Sequence, residues 1–411
     1  MNKLRFGALV FAGFSTVAHA DFFSDSHATV DTRNVYFNRD FRDGPQQSRR
    51  DEWAQGLMLK FESGYTPGVV GFGVDLLGMF GARLDSSPDR AGSGLLPVRG
   101  DGRAAAQYGK LGVTAKVSVA TTELKVGALI PALPTLRPND GMILPQSFQG
   151  ALLTSHAVAE TLVSVGQLQQ AKARNDTGYE DITLNNKNNR FTRNAPGNHL
   201  SLAGFDRRLN EQLTFSYHYA QLSDVYSQQF AGLVASQPWG AGKLSADLRF
   251  FSSTDQGAAR GGPIDNQAFS GMLGYARGAQ AFSVGYQRMA GRTAFPYVEG
   301  SDAYLINFSQ IGDFAEAGER SWQARYDVNF EALGMPGLTV MSRYVRGDDA
   351  RVSAMPGPGQ EWERDTEVKY VIQRGSFKNL ALRVRDATYR SSFSRDADEV
   401  RVLITYTRLL W

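Results

Sequence analysis

The chain has 411 residues, 44 of them basic and 41 acidic, so its formal net charge at pH 7 is only +3. This near balance gives no support to a nucleic-acid partner, and a chain without cysteine has neither a disulfide framework nor a thiol for a lipoprotein anchor. Its 43 glycines, 16 tyrosines and 25 phenylalanines, beside 15 prolines, favour many short strands and turns over helical domains.

The first twenty residues have the pattern of a secretory signal peptide. Lys3 and Arg5 form a short positive start, and residues 6–17 are apolar. Ala18 and Ala20 then place small residues at the positions that a signal peptidase reads. We therefore expect residues 1–20 to be removed and residues 21–411 to form a single barrel domain.

From about residue 28 onward the main pattern is alternation of apolar and polar side chains over about ten positions, the length of a tilted membrane-spanning strand. No later stretch approaches the ~18 consecutive apolar residues of a transmembrane helix. Clear examples are 213–219, 244–250, 321–331, 380–385 and 400–407. An exported soluble all-β protein, such as a propeller, would also bury one apolar face, although no repeat of propeller length is visible.

The connections between these segments differ in length in a regular way. Short links at 62–68, 156–161, 207–212, 277–280, 331–336 and 374–379 alternate with longer ones at 40–51, 85–103, 131–146, 172–197, 292–320 and 348–360. Short turns at one end and long loops at the other are typical of outer-membrane barrels. The sequence thus predicts an all-β transmembrane antiparallel barrel of 18 strands, with the apolar, Pro- and Gly-containing loop 131–146 folded inward.

Alternation also separates the side chains that face lipid from those that face the lumen. In the last five strands the lumen side carries six cations: Arg325, Arg343, Lys369, Arg383, Arg385 and, less securely in phase, Arg401. Since neighbouring strands lie about 4.8 Å apart, these cations should form a contiguous strip that attracts carboxylate-bearing solutes. Acidic residues share this face, so the alternative that the arginines only neutralise them stays open at this point.

Signals for catalysis and for bound cofactors are weak. The five histidines, one of them in the leader, show no HExxH or paired metal-ligand spacing, so no metal, cofactor or catalytic residue is predicted. His218 shares lumen parity with Ser216, but two residues on one strand do not by themselves make a base and a nucleophile. We expect His218 to be a polar residue of the lumen wall.

Seven short segments spread along the chain carry a resemblance to a known family. They are YFNRD at 36–40, FESGY at 61–65, VGFGVD at 70–75, LPQ at 144–146, GERSWQARYD at 318–327, PGLT at 336–339 and EVKYV at 367–371. With these segments the chain resembles the OprD family of outer-membrane channels over nearly all of residues 21–411.

This resemblance implies an 18-stranded barrel whose third and seventh extracellular loops fold inward to form an eyelet beside a ladder of basic residues. Matched residue by residue, the ladder falls on Arg39, Arg50, Lys369, Arg383, Arg385 and Arg401. Strand alternation alone also places the last four of these in the lumen. Acidic positions of the seventh loop, which face the ladder in similar channels, match Asp302 and Asp313.

The third loop departs from the family pattern at one position. Similar channels commonly have an arginine before a Leu-Leu-Pro-Gln stretch, whereas here Met142 precedes Ile-Leu-Pro-Gln. The eyelet arginine is then either missing or supplied by Arg137, and Asp140 of the same loop is a further candidate for the translocation path.

The sequence thus predicts passive uptake of small carboxylate-bearing solutes across the outer membrane of a Gram-negative bacterium, with aromatic or other monocarboxylates favoured. The expected partners are outer-membrane lipid and small anionic solutes, and a monomer and a loose homotrimer both stay open. Three alternatives also stay open: an amino-acid channel of the same family, an outer-membrane barrel enzyme, and a purely structural barrel.

Overall fold

The computed structural model describes residues 21–353 and 355–411, so the predicted leader, residues 1–20, lies outside the described residues and stays a prediction. Eighteen antiparallel strands form the barrel, which confirms the predicted fold. They are β1 (His27–Phe41), β2 (Arg49–Glu62), β3 (Val70–Asp85), β4 (Gln107–Val119), β5 (Thr122–Leu129), β6 (Ser147–Ser155), β7 (Thr161–Lys172), β8 (Leu200–Asn210), β9 (Leu213–Leu222), β10 (Tyr226–Trp239), β11 (Gly242–Asp255), β12 (Asp265–Arg277), β13 (Gln280–Gly291), β14 (Arg320–Asn329), β15 (Leu338–Ala350), β16 (Gly359–Val371), β17 (Ala381–Ser391) and β18 (Ala397–Leu409).

Each strand pairs with its neighbours in sequence, and β1 pairs with β18 from Thr29 opposite Leu409 to Phe41 opposite Ala397. This last pairing closes the sheet, so no strand edge is left open to lipid. No helix in the described part of the chain is long and apolar enough to span a membrane.

Long and short connections lie at opposite ends of the barrel, as the sequence predicts. The end with the long loops, which we number L1 to L9, is the extracellular end, and the other end carries the periplasmic turns. The loops used below are L2 (86–106), L3 (130–146), L4 (173–199), L7 (292–319) and L8 (351–358). Short pairings within loops occur at Arg137–Pro138, Glu180–Thr183, Pro196–Gly197 and Ser301–Asp302, and single 3₁₀ turns at Lys187–Asn189 and Phe330–Leu333.

The predicted strand at 321–331 ends two residues early, at Asn329. The Asn329 side chain accepts a hydrogen bond from the Glu331 backbone N–H and so caps the 3₁₀ turn. Gly334 ends this turn with φ of 82°, a left-handed conformation that glycine adopts without steric cost. The alternating pattern of residues 330 and 331 is therefore overridden by local turn chemistry.

The outer wall is apolar and the lumen wall polar. Leu111, Val113, Phe282 and Val284 are among the most exposed large side chains, because they face the space that lipid fills. On β14, Trp322 and Tyr326 face outward, whereas Gln323 is buried on the lumen side. The alternation of apolar and polar residues in the sequence therefore predicts correctly which side chains face lipid and which face the lumen.

Inside the extracellular half, loops pack against the wall in three hydrophobic clusters. One joins L3, L4 and L7 to β5–β9, a second joins L2 and L3 to β1–β4 and β18, and a third joins L7 to β10–β13. Among the described residues, none of β14–β17 belongs to these clusters. The apolar contacts of the loops therefore lie on the other strands, whereas L7 reaches β14, β15 and β16 through hydrogen bonds.

Candidate functional site

L3 and L7 meet in the middle of the lumen. Arg137–Pro138 of L3 pairs antiparallel with Ser301–Asp302 of L7. On the far side of L7, the Glu299 backbone N–H donates to the Thr183 carbonyl of L4 at 2.8 Å. The three loops thus form one ribbon across the pore, and the inward folding expected of L3 and L7 is what the structure has.

The approach of L3 to the barrel wall depends on a glycine. A Cβ atom placed on Gly56 of β2 would lie 2.4 Å from the Ile143 carbonyl oxygen, far inside van der Waals contact. Ile143 and Leu144 are buried against β1–β4 in the second hydrophobic cluster. Gly56 thus lets the backbone of L3 lie directly against β2.

A cavity of about 630 Å³ lies beside this ribbon and forms the constriction. Its cationic wall consists of Arg39, Arg50, Arg174, Arg343, Arg385 and Arg401. Across from them, L7 contributes Glu299, Asp302 and Asp313. Seven of the twelve predicted site residues therefore line this constriction, and the other five lie elsewhere.

Strand register orders the basic residues along the wall. Arg39 of β1 is directly opposite Arg50 of β2 near the extracellular end. Arg385 of β17 is opposite Arg401 of β18 at mid-height. Lys369 of β16 and Arg383 of β17 are opposite each other close to the periplasmic end, below the constriction. We call these six residues the basic ladder, and its three rungs descend across five neighbouring strands.

Two glutamates, one of them buried, hold four of the ladder arginines in place. Glu399, fully buried on β18, pairs with both Arg39 and Arg401. Glu367 of β16 lies 3.5 Å from Arg383 and 3.3 Å from Arg385. Because each carboxylate is shared by two guanidinium groups, donor capacity remains for an anion from solution.

The remaining ladder cations have no ion-pair partner among the described residues. Lys369 forms no salt bridge there, and the buried Nε of Arg50 has no hydrogen-bond partner. A buried donor without a partner costs free energy unless an acceptor reaches it. Arg50 therefore presents an unfilled donor to the constriction.

Arg325 and Arg343, also predicted for the path, differ from the ladder because each has its own acid. Arg325 donates to Asp327 on the same strand at 2.7 Å, and Arg343 pairs with Asp365 at 2.5 Å. Arg343 also donates to the Phe308 carbonyl of L7 at 3.3 Å. On β14 and β15 the charges are thus matched one to one, which is the arrangement expected of simple neutralisation.

The acids of L7 have different surroundings. Burial raises the pKa of both Glu299 and Asp302 above the usual range of carboxyl groups. Burial also opposes ionisation of Asp313, but Lys187 and Arg190 of L4 outweigh it and hold the pKa of that carboxyl below its usual value. The Asp313 carboxylate thus links L7 to L4 through its ion pairs. The ionised forms of Glu299 and Asp302 are stabilised less by their neighbours.

Arg137 and Asp140 of L3 lie around the constriction and do not line its cavity, whereas Met142 does. Arg137 stacks on the Tyr304 ring, 4.8 Å from its centroid, and Asp140 pairs with Arg33 of β1. Met142 is buried among apolar side chains. Among the cations that line the cavity, Arg174 of L4 contacts L3: it donates to the Asn139 side-chain oxygen at 2.6 Å, and Asn139 in turn donates to Asp302.

Sequence reasoning missed four residues of this site: Arg174, Glu299, Gln310 and Glu399. Alternation on β18 could have found Glu399, which shares the inward face of Arg401. Gln310 of L7 donates to Glu399 at 2.8 Å, and burial lowers the pKa of Arg174 in L4. Loops have no two-residue period, so no comparable signal identifies these two or Glu299.

A second, more apolar cavity of about 490 Å³ lies on the periplasmic side of L3. Leu77, Leu129, Ile130, Leu133 and Leu152 contribute to its wall. It extends along the inward faces of β2–β7, on the side of the lumen away from the lower ladder rungs. The path below the constriction thus has a basic wall and, away from it, a wall in which leucines stand beside charged residues such as Lys60, Asp75 and Lys125.

His218 lies buried on the lumen face, as expected of a wall residue. Its Nε2 is 3.3 Å from the Asp206 carboxylate, to which the Ser216 hydroxyl also donates. Both side chains therefore contact one acid and not each other, and no base-to-nucleophile contact exists between them.

Comparison with known proteins gives one consistent result. The family model described as outer membrane porin, OprD family, matches residues 20–410. The porin-like protein GalP of Pseudomonas putida is 39% identical over 390 residues, which cover 94% of this chain and 92% of that protein. Among solved structures, OccK9 (OpdG) of Pseudomonas aeruginosa has a TM-score of 0.92 at 44% identity, covering 95% of this chain and all of that one. OpdK of the same species, solved with vanillate, has a TM-score of 0.89 at 39% identity with the same coverage.

Proposed function

Because this chain belongs to the OprD family of outer membrane porins, we propose that its basic ladder guides small carboxylate-bearing solutes through the lumen by passive diffusion. Members of the family are channels of the Gram-negative outer membrane and not enzymes. The proposal adds a solute class and a path to this established channel fold.

The observation that best supports the proposal is the surplus of positive charge on the ladder. Its six cations share two carboxylates in ion pairs, Glu367 and Glu399, so the ladder itself has a formal surplus of four positive charges. Glu52, Glu361 and Glu363 are further acids buried on the same strands. A confined aqueous path with low-dielectric walls focuses this field and concentrates anions. If the arginines only neutralised lumen acids, the charges would match one to one, as they do at Arg325 and Arg343.

The ladder rungs suggest how a carboxylate passes. Arg39 and Arg50 receive the anion at the extracellular side, Arg401 and Arg385 take it at the constriction, and Arg383 and Lys369 release it. Each guanidinium replaces part of the hydration of the carboxylate by charge-assisted hydrogen bonds. Several weak sites in series allow the solute to leave as readily as it enters. Arg325, Arg343, Arg137 and Asp140 support this path by holding the wall and L3 in position.

Two observations favour an aromatic or other apolar monocarboxylate. The apolar cavity below the constriction offers a surface for the body of the solute while the lower ladder rungs bind its carboxylate. OpdK, a similar structure, was solved with vanillate, an aromatic carboxylate.

The test is flux through purified channel in a planar bilayer or liposome, with benzoate compared with neutral benzamide. Replacing two ladder arginines, in Arg383→Ala/Arg385→Ala, should reduce benzoate flux by at least about tenfold, since a single charged hydrogen bond already contributes about 1.5 kcal/mol or more. Benzamide flux should change little. Equal loss of both solutes would mean that the substitution narrows the pore, and an unchanged benzoate flux would refute the ladder.

Two controls separate charge at the ladder from other effects. Arg207→Ala/Arg277→Ala removes two exposed arginines at the periplasmic end, and flux should stay at the level of the unmodified protein. Adding Glu367→Gln to the ladder variant removes the carboxylate left without a partner. If that addition restored full benzoate flux, repulsion by Glu367 and not loss of the arginines would explain the defect.

An amino-acid channel is the second candidate, and one observation favours it. Glu299 and Asp302 face the ladder across the constriction, so they offer acceptors to an ammonium group while arginines bind the carboxylate. Under this alternative Glu299→Gln/Asp302→Asn lowers the flux of alanine and leaves that of propionate unchanged. Under the preferred proposal benzoate outcompetes alanine, and the double substitution does not reduce benzoate flux.

A further inference from the structure

A pair of arginines faces outward at the extracellular rim, on the side of the wall away from the lumen. Arg288 of β13 and Arg320 of β14 are directly opposite each other in the strand register, and both are exposed. Like charges directly opposite on neighbouring strands destabilise a sheet. An arrangement of this kind therefore favours an anion that binds both guanidinium groups.

These two arginines line a groove of about 750 Å³ together with Arg351 of L8. One acid, Asp349, also lines the groove, and it pairs with Arg320. Arg351 donates to the Gly291 carbonyl at 2.7 Å, which fixes it at the groove wall, and Arg288 has no ion pair among the described residues. Three guanidinium groups against one carboxylate leave a formal surplus of two positive charges.

The position of the groove along the barrel axis places it close to the membrane surface. Tyr286 and Trp322, again directly opposite each other, lie two residues deeper on the same outward face. Below them Phe282 and Val284 expose most of their apolar surface outward. Aromatic side chains mark the interface of a transmembrane barrel, so Arg288 and Arg320 lie just above it, at the level of the lipid head groups of the outer leaflet.

We propose that Arg288, Arg320 and Arg351 form a binding site for the phosphate of a phosphorylated glycolipid, the lipid A type that makes up the outer leaflet. Planar guanidinium groups bind phosphate oxygens bidentately, and a phosphomonoester carries enough negative charge to offset the repulsion between Arg288 and Arg320. Ala290 and Pro358 give the same groove an apolar part for the sugar backbone. This site is separate from the lumen and independent of the solute that the channel carries.

The test is binding of bisphosphorylated lipid A to the full purified barrel in detergent micelles, followed by native mass spectrometry. Arg288→Ala/Arg320→Ala should weaken binding by at least about tenfold, because two charge-assisted contacts are lost. Arg207→Ala/Arg277→Ala, which removes the same number of exposed arginines at the periplasmic end, should bind lipid A like the unmodified protein. Conductance and heat-modifiable gel migration of both variants should stay unchanged, which shows that the barrel is folded.

Three outcomes would overturn the proposal: binding by the rim variant within about twofold of the unmodified protein, equal binding of dephosphorylated lipid A, and equal competition by phosphatidylglycerol. The single substitution Arg288→Ala provides an independent readout if the double variant folds poorly. It removes the like-charge contact, so in lipid-free micelles thermal stability should stay equal or rise. Added lipid A should then stabilise it less than the unmodified protein, and an equal gain would contradict the site.

Discussion

Glu399 connects more of the lumen site than any other carboxylate described above. Its oxygens accept from Arg39 on one side, Arg401 on the other, and the Gln310 amide of L7. It therefore fixes two rungs of the ladder and the tip of L7 at once, while it cancels only one of the two arginine charges. Glu399 therefore has two effects that can be measured separately: it holds these side chains in position, and it lowers the net charge of the ladder.

Glu399→Gln separates them. Loss of the carboxylate raises the formal surplus of the ladder by one, so anion selectivity should increase, measured as a shift of the reversal potential in a salt gradient. Loss of the ion pairs should destabilise the barrel by about 1–3 kcal/mol, since buried charged hydrogen bonds are weakened. Thermal unfolding on gels measures the second effect. Glu399→Asp keeps the charge and should leave selectivity near that of the unmodified protein; a shift of Glu399→Gln toward cations would contradict the charge assignment.

For single residues, the sequence predicts the positions that follow the two-residue period of a β-strand. Arg385 and Arg401 were placed in the lumen because β-strands have a two-residue period, and the structure has them opposite each other. The partners that set their effective charge, Glu367 and Glu399, follow from the same parity once pairing is known. Arg174 does not, because its position depends on how L4 packs on L3.

L7 is held against the wall by backbone contacts to one acid. Glu363 of β16, fully buried, accepts from the Ile311 and Gly312 backbone N–H groups at 2.9 and 2.6 Å. Arg343 of β15 and Arg401 of β18 also donate to L7 carbonyls. The inward position of the loop thus rests on side chains of β15, β16 and β18.

Glu363→Ala should release this segment of L7. Two charge-assisted hydrogen bonds are lost, a cost of about 3 kcal/mol or more, and two loop N–H groups then need water. Single-channel recordings should show a larger or more variable conductance. Glu363→Gln keeps one carbonyl acceptor and should give an intermediate result, and an unaltered, quiet conductance in Glu363→Ala would show that L3 and L4 alone hold the loop.

Strands and loops differ in how far the sequence predicts them. The strand predicted at 321–331 is found at Arg320–Asn329. Alternation over ten residues is enough to predict it, because a strand in the barrel wall only has to present one apolar face and one polar face. Inward folding of L3 could be inferred from its apolar composition. The pairing of Arg137–Pro138 with Ser301–Asp302 joins positions far apart in the chain, and no local pattern encodes such a contact.

For the whole molecule, pH should change the charge balance of the constriction. Burial raises the pKa of Glu299 and Asp302, so they bind protons at higher pH than ordinary carboxyl groups do. The arginines stay charged and the pKa of Asp313 is lowered, so acidification removes negative charge from one side only. Anion selectivity should therefore rise as the pH falls from neutral into the acidic range.

Reversal potentials measured across this pH interval test the prediction. In Glu299→Gln/Asp302→Asn the titrating groups are absent, and selectivity should be high and independent of pH over the same range. A pH dependence that persists in this variant would assign the titration to other groups. A selectivity that falls on acidification would reverse the expected sign and contradict the assignment.

The pairing of β1 with β18 has a consequence for assembly. Arg39 and Arg401 lie on strands from opposite ends of the barrel sequence, and the Arg39–Glu399 contact forms only when these strands meet. An open sheet would hold Arg39 and Arg401 at its two distant margins, with no ordered run of cations between them. The proposed solute path and the closed wall are thus completed in one step, so an unfinished barrel in the membrane lacks both.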